Sequence, residues 1–107
     1  MVDESVVKAV QRYLQAVKER GIPVHYGILF GSQVTGVAHE WSDIDLIVVS
    51  PIFDSPRRRQ DIDLLWHITV ITDPRIEPIA VGERQWVEDD ISPILEIARR
   101  EGQVVMV

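Results

Sequence analysis

The first half of the chain alternates between helical and extended hydrophobic patterns. Between Asp3 and Gly21, typical start and stop signals, apolar side chains repeat at helical spacing, and this stripe comprises Val6, Val7, Val10, Leu14 and Val17. The pattern predicts a first amphipathic helix. The run VHYGILF at 24–30 then predicts a first strand. The unbroken apolar run in DLIVVS at 45–50 predicts a second strand that is buried on both faces.

The second half begins with another helix signal. Ser55 followed by Pro56 is a favourable cap with proline at the first helical position, so we predict a second long helix from 56 to about 70. The segment RIEPIAV at 75–81 predicts a third strand. Pro78 cannot donate a ladder hydrogen bond, which indicates an edge position or a bulge.

A last helix and a short closing segment complete the pattern. Ser92 and Pro93 repeat the cap signal, and Gly102 ends the helix that they begin. The residues QVVMV at 103–107 form a short fourth strand or simply pack against the sheet. The crossover helix makes the third strand parallel to the second, whereas the first two strands are expected to be antiparallel.

The composition limits the functions that are open to the chain. Its 107 residues suffice for one core, and we expect a single domain over 1–107. There is no cysteine, which excludes disulfides and thiolate metal sites and is typical of a reducing compartment. No apolar stretch approaches the roughly 20 residues of a membrane span, and the start lacks the basic residues of a signal peptide. We therefore expect a cytoplasmic protein with no membrane contact.

The net charge narrows the choice of partners. A formal charge of −6 argues against direct binding of nucleic acid through a broad basic face. It leaves open a phosphate-bearing substrate that cations link to carboxylates, since hard divalent cations take oxygen ligands from Asp and Glu. Magnesium chemistry therefore remains available.

Three acids are expected to converge at one edge of the sheet. Asp43 and Asp45 are two residues apart in an extended segment, so their side chains leave from the same face. Glu77 stands early in the parallel third strand, near the same level. Like charges that close repel one another unless a cation lies between them. The sequence therefore predicts a magnesium site, with one or two metal ions, at Asp43, Asp45 and Glu77.

A Gly-Ser pair stands at the end of the first strand, at the same edge. Glycine allows the backbone to approach a ligand closely, and a serine that heads a short helical turn offers its hydroxyl and nearby N–H groups to an anion. Gly31 and Ser32 are therefore candidates for binding the phosphates of a nucleotide.

The spacing of these residues resembles that of a known superfamily. The chain carries GS, then ten intervening residues, then DID followed by LIVV. This arrangement is similar to the signature of the polymerase-beta-type nucleotidyltransferases, and the short chain resembles their minimal nucleotidyltransferase branch. The similarity covers about 24–81 and the closing SPILEIARREGQVVM. It implies an α+β fold in which a small mixed sheet, with strands one and two antiparallel and a helical crossover to strand three, is flanked by helices.

The resemblance also implies roles for the candidate residues. Gly31 and Ser32 would bind the nucleotide's phosphates, Asp43 and Asp45 would ligate Mg²⁺, and Glu77 would take the place of the third catalytic acid. The implied reaction transfers a nucleoside monophosphate, AMP from ATP, to an acceptor hydroxyl. Such chains are commonly paired with a small helical HEPN-type toxin, which implies an antitoxin that modifies a tyrosine of its partner. Oligomerisation is left open.

Two alternatives are weighed against this hypothesis. A catalytically silent subunit of the same fold would bind nucleotide or partner only; Gln33, Thr35 and Glu77 favour it, because related chains often carry arginines after the Gly-Ser pair and an aspartate as third acid. A phosphoacceptor receiver domain would need a lysine near its acids, whereas Lys8 and Lys18 both lie in the first predicted helix.

Other chemistry-bearing residues have simpler interpretations. Asp61 and Asp63 form a second DID motif, but inside a helix residues two apart point in different directions, so we expect a solvated face. The run at 57–59, RRR, is also expected to be solvated. His39 lies in the loop of the candidate site, where a surface role is expected over substrate contact. We expect the three tryptophans to lie in the core or on a surface that contacts a partner: Trp41, Trp66 and Trp86.

Overall fold

The computed structural model describes residues 2–36 and 42–107. Its α-helices are α1 (Glu4–Glu19), α2 (Ser32–Thr35), α3 (Arg59–Ile71), α4 (Glu83–Glu88) and α5 (Pro93–Glu101). Its strands are β1 (Tyr26–Phe30), β2 (Ile44–Val49), β3 (Ile76–Val81) and β4 (Gln103–Met106), and a 3₁₀ helix spans Pro51–Asp54. His39 and Trp41 lie outside the described residues.

The strands form one mixed sheet in the order β3-β2-β1-β4. β1 is antiparallel to both β2 and β4, and β2 is parallel to β3. The predicted α+β class, the antiparallel pairing of the first two strands and the parallel third strand are confirmed. β3 occupies an edge, as Pro78 indicated, and the closing segment pairs as the other edge strand.

The apolar run of β2 is buried on both faces of the sheet. Leu46 and Val48 contribute to a core that the sheet forms with α1 and α3, where Tyr13, Leu14, Leu65 and Ile68 are also fully or almost fully buried. Ile47 and Val49 contribute to a second core on the opposite face, closed by Leu95 and Ala98 of α5. β2 is central and both of its faces are covered. Its one charged residue, Asp45, therefore lies near the start of the strand, beside the uncovered end of the sheet.

The predicted start of the second long helix at Ser55 and Pro56 is wrong. The Ser50 side chain accepts a hydrogen bond from the Ile52 N–H and begins the 3₁₀ helix, after which residues 55–58 run outside any helix. The α-helix starts only at Arg59, with Arg58 in extended conformation before it. The intervening segment carries Asp54 and Arg57 to α4, and these contacts override the local Ser-Pro signal.

Helix α4 has no counterpart among the sequence predictions, because its cap comes from a distant residue. The carboxylate of Asp54 accepts hydrogen bonds from the backbone N–H groups of Arg84 (3.0 Å) and Gln85 (3.1 Å). Gln85 in turn accepts from the N–H of Gly82 at 3.1 Å. A Cβ built on Gly82 would overlap the Asp54 side chain, so glycine is required for this close approach.

Within residues 2–36 and 42–107, none of the helices combines the length and apolar character needed to cross a membrane.

We predict that Asp54→Asn lowers stability at neutral pH and that the deficit shrinks in acid. The backbone N–H of Arg84, together with that of Gln85, holds the pKa of Asp54 below its ordinary value of 3.8. A carboxyl whose pKa is lower in the folded state stabilises the protein above its unfolded pKa, and that contribution is lost as pH falls through the folded value. Urea denaturation midpoints between pH 7 and pH 3 measure the difference between parent and variant.

The control for this experiment is Asp90→Asn, which neutralises an exposed carboxylate that makes no hydrogen bond or ion pair to any described residue. An equal deficit in both variants, or a deficit for Asp54→Asn that does not change with pH, would contradict the capping role.

Candidate active site

The strand register brings two of the three candidate acids, Asp45 and Glu77, side by side. Asp45 pairs with Phe30 of β1 on one side and with Glu77 of β3 on the other. Paired residues of neighbouring strands project to the same face, so the side chains of Asp45 and Glu77 lie next to each other. Asp43 precedes β2 and is two residues from Asp45. Asp43 and Glu77 are exposed, whereas Asp45 is half-buried.

The charges of these acids act on one another. Burial raises the pKa of Asp45, and the negative charge of Asp43 raises it further, while a hydrogen bond with Glu77 opposes the shift. Partial removal from water raises the pKa of Glu77, as do the charges of Asp43 and Asp45 and its hydrogen bonds with both. The cluster therefore favours the uptake of a positive charge, either a proton or a cation.

The chemistry of the donor set fits a hard cation. All three groups are carboxylates, whose oxygens are the ligands that Mg²⁺ prefers. In the described part of the chain, however, no three His, Asp or Glu side chains are arranged around a common metal position. The acids act on one another through their charges, since Asp43 and Asp45 both raise the pKa of Glu77. A cation bound between them would offset their mutual repulsion.

The Gly31–Ser32 turn packs directly against Asp45. Gly31 precedes α2 with φ +78° and ψ −149°, a conformation that side chains rarely adopt, and a Cβ built on it would overlap the carboxylate of Asp45. Its carbonyl accepts hydrogen bonds from the N–H groups of Val34 (3.1 Å) and Thr35 (3.2 Å). Ser32 therefore heads a short helical turn beside the acids, as the sequence predicted.

Gln33 has a role that the sequence interpretation missed. Its side chain is buried, and its Nε2 donates to the backbone carbonyls of Ser42 (3.3 Å) and Asp43 (3.2 Å). The residue thus faces the protein interior, where its amide is bonded to these two carbonyls. No periodicity or motif in the sequence marks it as a contact of Asp43.

The remaining charged motifs lie elsewhere and pair locally. In and next to α3, Arg58 pairs with Asp61 and Arg59 with Asp63. Arg57 donates to the side chain of Gln85 on α4. The expectation of a solvated face for the second DID motif is confirmed for Asp63, whose pair with Arg59 is exposed, but not for Asp61, whose side chain is only 15% exposed.

Comparison with known proteins identifies the family. A family model described as a nucleotidyltransferase domain matches residues 10–103, so the chain belongs to this family and its general activity is nucleotidyl transfer. Among solved structures, it resembles a candidate nucleotidyltransferase from Sulfolobus solfataricus with a TM-score of 0.62 and 14% identity, over 92% of this chain and 77% of that one. At this identity the likeness shows the fold. No curated protein matches the sequence.

We predict that Gly31→Ala costs about 2–3 kcal/mol, because it combines an unfavourable backbone conformation with a collision at Asp45. Gly36→Ala is the matched control in the same turn. Gly36 also has a positive φ, of +83°, but among the described residues a Cβ there meets nothing within 4 Å, so we expect a cost of only about 1 kcal/mol. Urea denaturation measures both values. Equal costs would show that Asp45 does not crowd Gly31.

Proposed function

We propose that the protein transfers AMP from ATP to a hydroxyl group of another protein, with Mg²⁺ as its cofactor. The observation that carries this proposal is the placement of Asp45, which lies between Glu77 on β3 and the Gly31–Ser32 turn. Acids that favour a cation and a turn suited to phosphates therefore meet within one open site, as the transfer of a phosphorylated group requires.

The candidate residues have different roles in the proposed reaction. Asp43, Asp45 and Glu77 would hold Mg²⁺, which when bound neutralises phosphate charge and lowers the pKa of the attacking hydroxyl. Gly31 and Ser32 bind the triphosphate from the other side. The acceptor oxygen forms a bond to the α-phosphorus, and the bond to pyrophosphate breaks with its electron pair on the leaving oxygen. Glu77 is exposed and accepts the proton of the acceptor hydroxyl.

The acceptor comes from a second protein in this proposal. Glu77 and Asp43 are both exposed, so a side chain on another molecule can reach them. The resemblance to minimal nucleotidyltransferases supports a tyrosine of a small helical HEPN-type toxin as the acceptor. The net charge of −6 complements a basic, RNA-cleaving partner and supports the same assignment.

An apolar surface at the β4 edge, on the other side of the sheet from Glu77, is the proposed docking face. On β4, Val104 and Met106 are 52% and 59% exposed, and on α5 the exposed fractions of Ile94 and Ile97 are 47% and 39%. We call these four residues the β4 edge surface. Arg99 faces α4, where its guanidinium stacks on Trp86, so Ile94 and Ile97 project from the opposite side of α5. β4 begins opposite Leu29, two residues before Gly31.

We predict that replacing Asp43 and Asp45 together by Asn lowers the rate of AMP transfer at least about 100-fold, because the cation loses two of its charged ligands. The matched control is Asp61→Asn with Asp63→Asn, which removes the same charges from the second DID motif on α3. Transfer of label from ATP to the partner in the presence of Mg²⁺ is the measurement.

The results of this experiment distinguish an active enzyme from a silent subunit. Equal transfer by the parent and the Asp43, Asp45 variant would contradict the proposed site. If no variant and no parent sample transfers AMP, while the parent still binds ATP and the partner, the protein is a silent subunit of the same fold.

We predict that Val104→Glu weakens binding of a helical partner at least about 10-fold, because it buries a charge in an apolar contact. Val70→Glu is the matched control, since Val70 is 71% exposed on α3, outside the β4 edge surface. Isothermal titration calorimetry with the co-purified partner compares the two affinities. A loss of affinity for Val70→Glu alone would place the docking face on α3 instead.

A further inference from the structure

The side-chain amide of Gln33 spans two consecutive backbone carbonyls. Only 6% of the residue is exposed, and its Nε2 donates to the carbonyl oxygens of Ser42 at 3.3 Å and Asp43 at 3.2 Å. Because both partners are acceptors, the NH₂ group must face them. A primary amide nitrogen carries two N–H donors, so one atom can satisfy both carbonyls. Glutamate has no donor when ionised, and asparagine is one methylene shorter.

This contact fixes a residue that the sheet itself does not hold. β2 begins at Ile44, and the Ile44 N–H donates to the Arg75 carbonyl at 2.8 Å. Asp43 lies just before that first ladder bond and its side chain is exposed, whereas Asp45 is held between two paired strands. The Gln33 amide therefore holds the backbone of Asp43 from the side opposite β3.

The same contact joins the two halves of the candidate site. Gln33 directly follows Ser32 in α2, so it belongs to the turn that packs on Asp45. We propose that Gln33 is a positioning residue that ties the Gly31–Ser32 turn to Asp43 and so sets the carboxylate of Asp43 for a divalent cation. This inference rests on the proposed function and adds a residue that contacts neither nucleotide nor metal.

The effects of removing the Gln33 amide can be predicted from its contacts. Its loss releases the Asp43 backbone, so the affinity for a cation falls while the direct contacts of Gly31 and Ser32 with nucleotide remain. A positioning role of this kind weakens metal binding about 10-fold. It lowers kcat by a similar factor and changes the KM for ATP little, because orientation in the transition state is lost while ground-state binding is kept.

The test compares Gln33→Leu, which removes both donors and leaves an apolar side chain one bond shorter, with the parent. Calorimetric titration with Mn²⁺ alone measures metal affinity, and label transfer from ATP measures kcat and KM. Amide hydrogen exchange at Ile44 gives a readout that needs neither metal nor activity. We expect Mn²⁺ affinity and kcat to fall about 10-fold and exchange at Ile44 to accelerate about 10-fold. Gln33→Met, which keeps the length of the side chain and also loses both donors, is the second variant should leucine prevent folding.

Tyr13→Phe is the control for a loss of stability alone. The Tyr13 hydroxyl donates to the Leu65 carbonyl at 2.9 Å in the core between α1 and α3, so its removal also deletes a buried hydrogen bond to a carbonyl. We expect this variant to lower the melting temperature by about 5 °C and to leave Mn²⁺ affinity and kcat unchanged.

The outcomes separate this inference from the proposed function. A parent that binds Mn²⁺ but transfers no AMP contradicts the proposed function, and the Mn²⁺ and exchange comparisons still decide the role of Gln33. A parent that binds no Mn²⁺ overturns the inference, as do unchanged Mn²⁺ affinity and Ile44 exchange in Gln33→Leu. An equal loss of Mn²⁺ affinity in Tyr13→Phe would reduce the effect to general destabilisation.

Discussion

The burial of β2 on both faces is the constraint on which the site depends. A central strand that pairs with β1 and β3 and carries a core on each side has one fixed register, because a slip of one residue would exchange its two faces. That register sets Asp45 beside Glu77 and against the Gly31 turn. The electrostatic repulsion at this edge is thus imposed by the hydrophobic core, and a proton or a cation must offset it.

The two edges of the sheet differ in a way that bears on function. β3 carries Pro78 and the charge of Glu77, both of which oppose pairing with another strand. β4 has no charged residue, and Val104 and Met106 leave it exposed toward the side of α5 that Ile94 and Ile97 occupy. The β3 edge, which carries Glu77, is therefore protected from pairing with another strand, whereas the β4 edge is suited to contact with protein.

Local patterns predicted the elements whose stability is local. The helical stripe behind Asp3, the apolar run of β2 and the Ser92–Pro93 start of α5 are all found in the structure. The sequence predictions fail where residues distant in the sequence determine the local structure. Asp54 caps α4 across about 30 residues of sequence, and the same segment delays α3 to Arg59. Gln33 likewise contacts Asp43 only because the turn folds back on β2, which no spacing rule expresses.

The glutamate at position 77 is consistent with a site in which one acid must reach two others. Glu77 departs from the pattern of the resembled superfamily, because related chains more usually carry an aspartate at this position. Its register partner is Asp45, whereas Asp43 lies before the first residue of β2 and outside the paired register. The charges of both aspartates nevertheless act on Glu77 and raise its pKa. An aspartate on β3 would be one methylene shorter and nearer to its register partner Asp45 than to Asp43. The longer side chain of glutamate therefore extends further toward Asp43 than an aspartate at this position could.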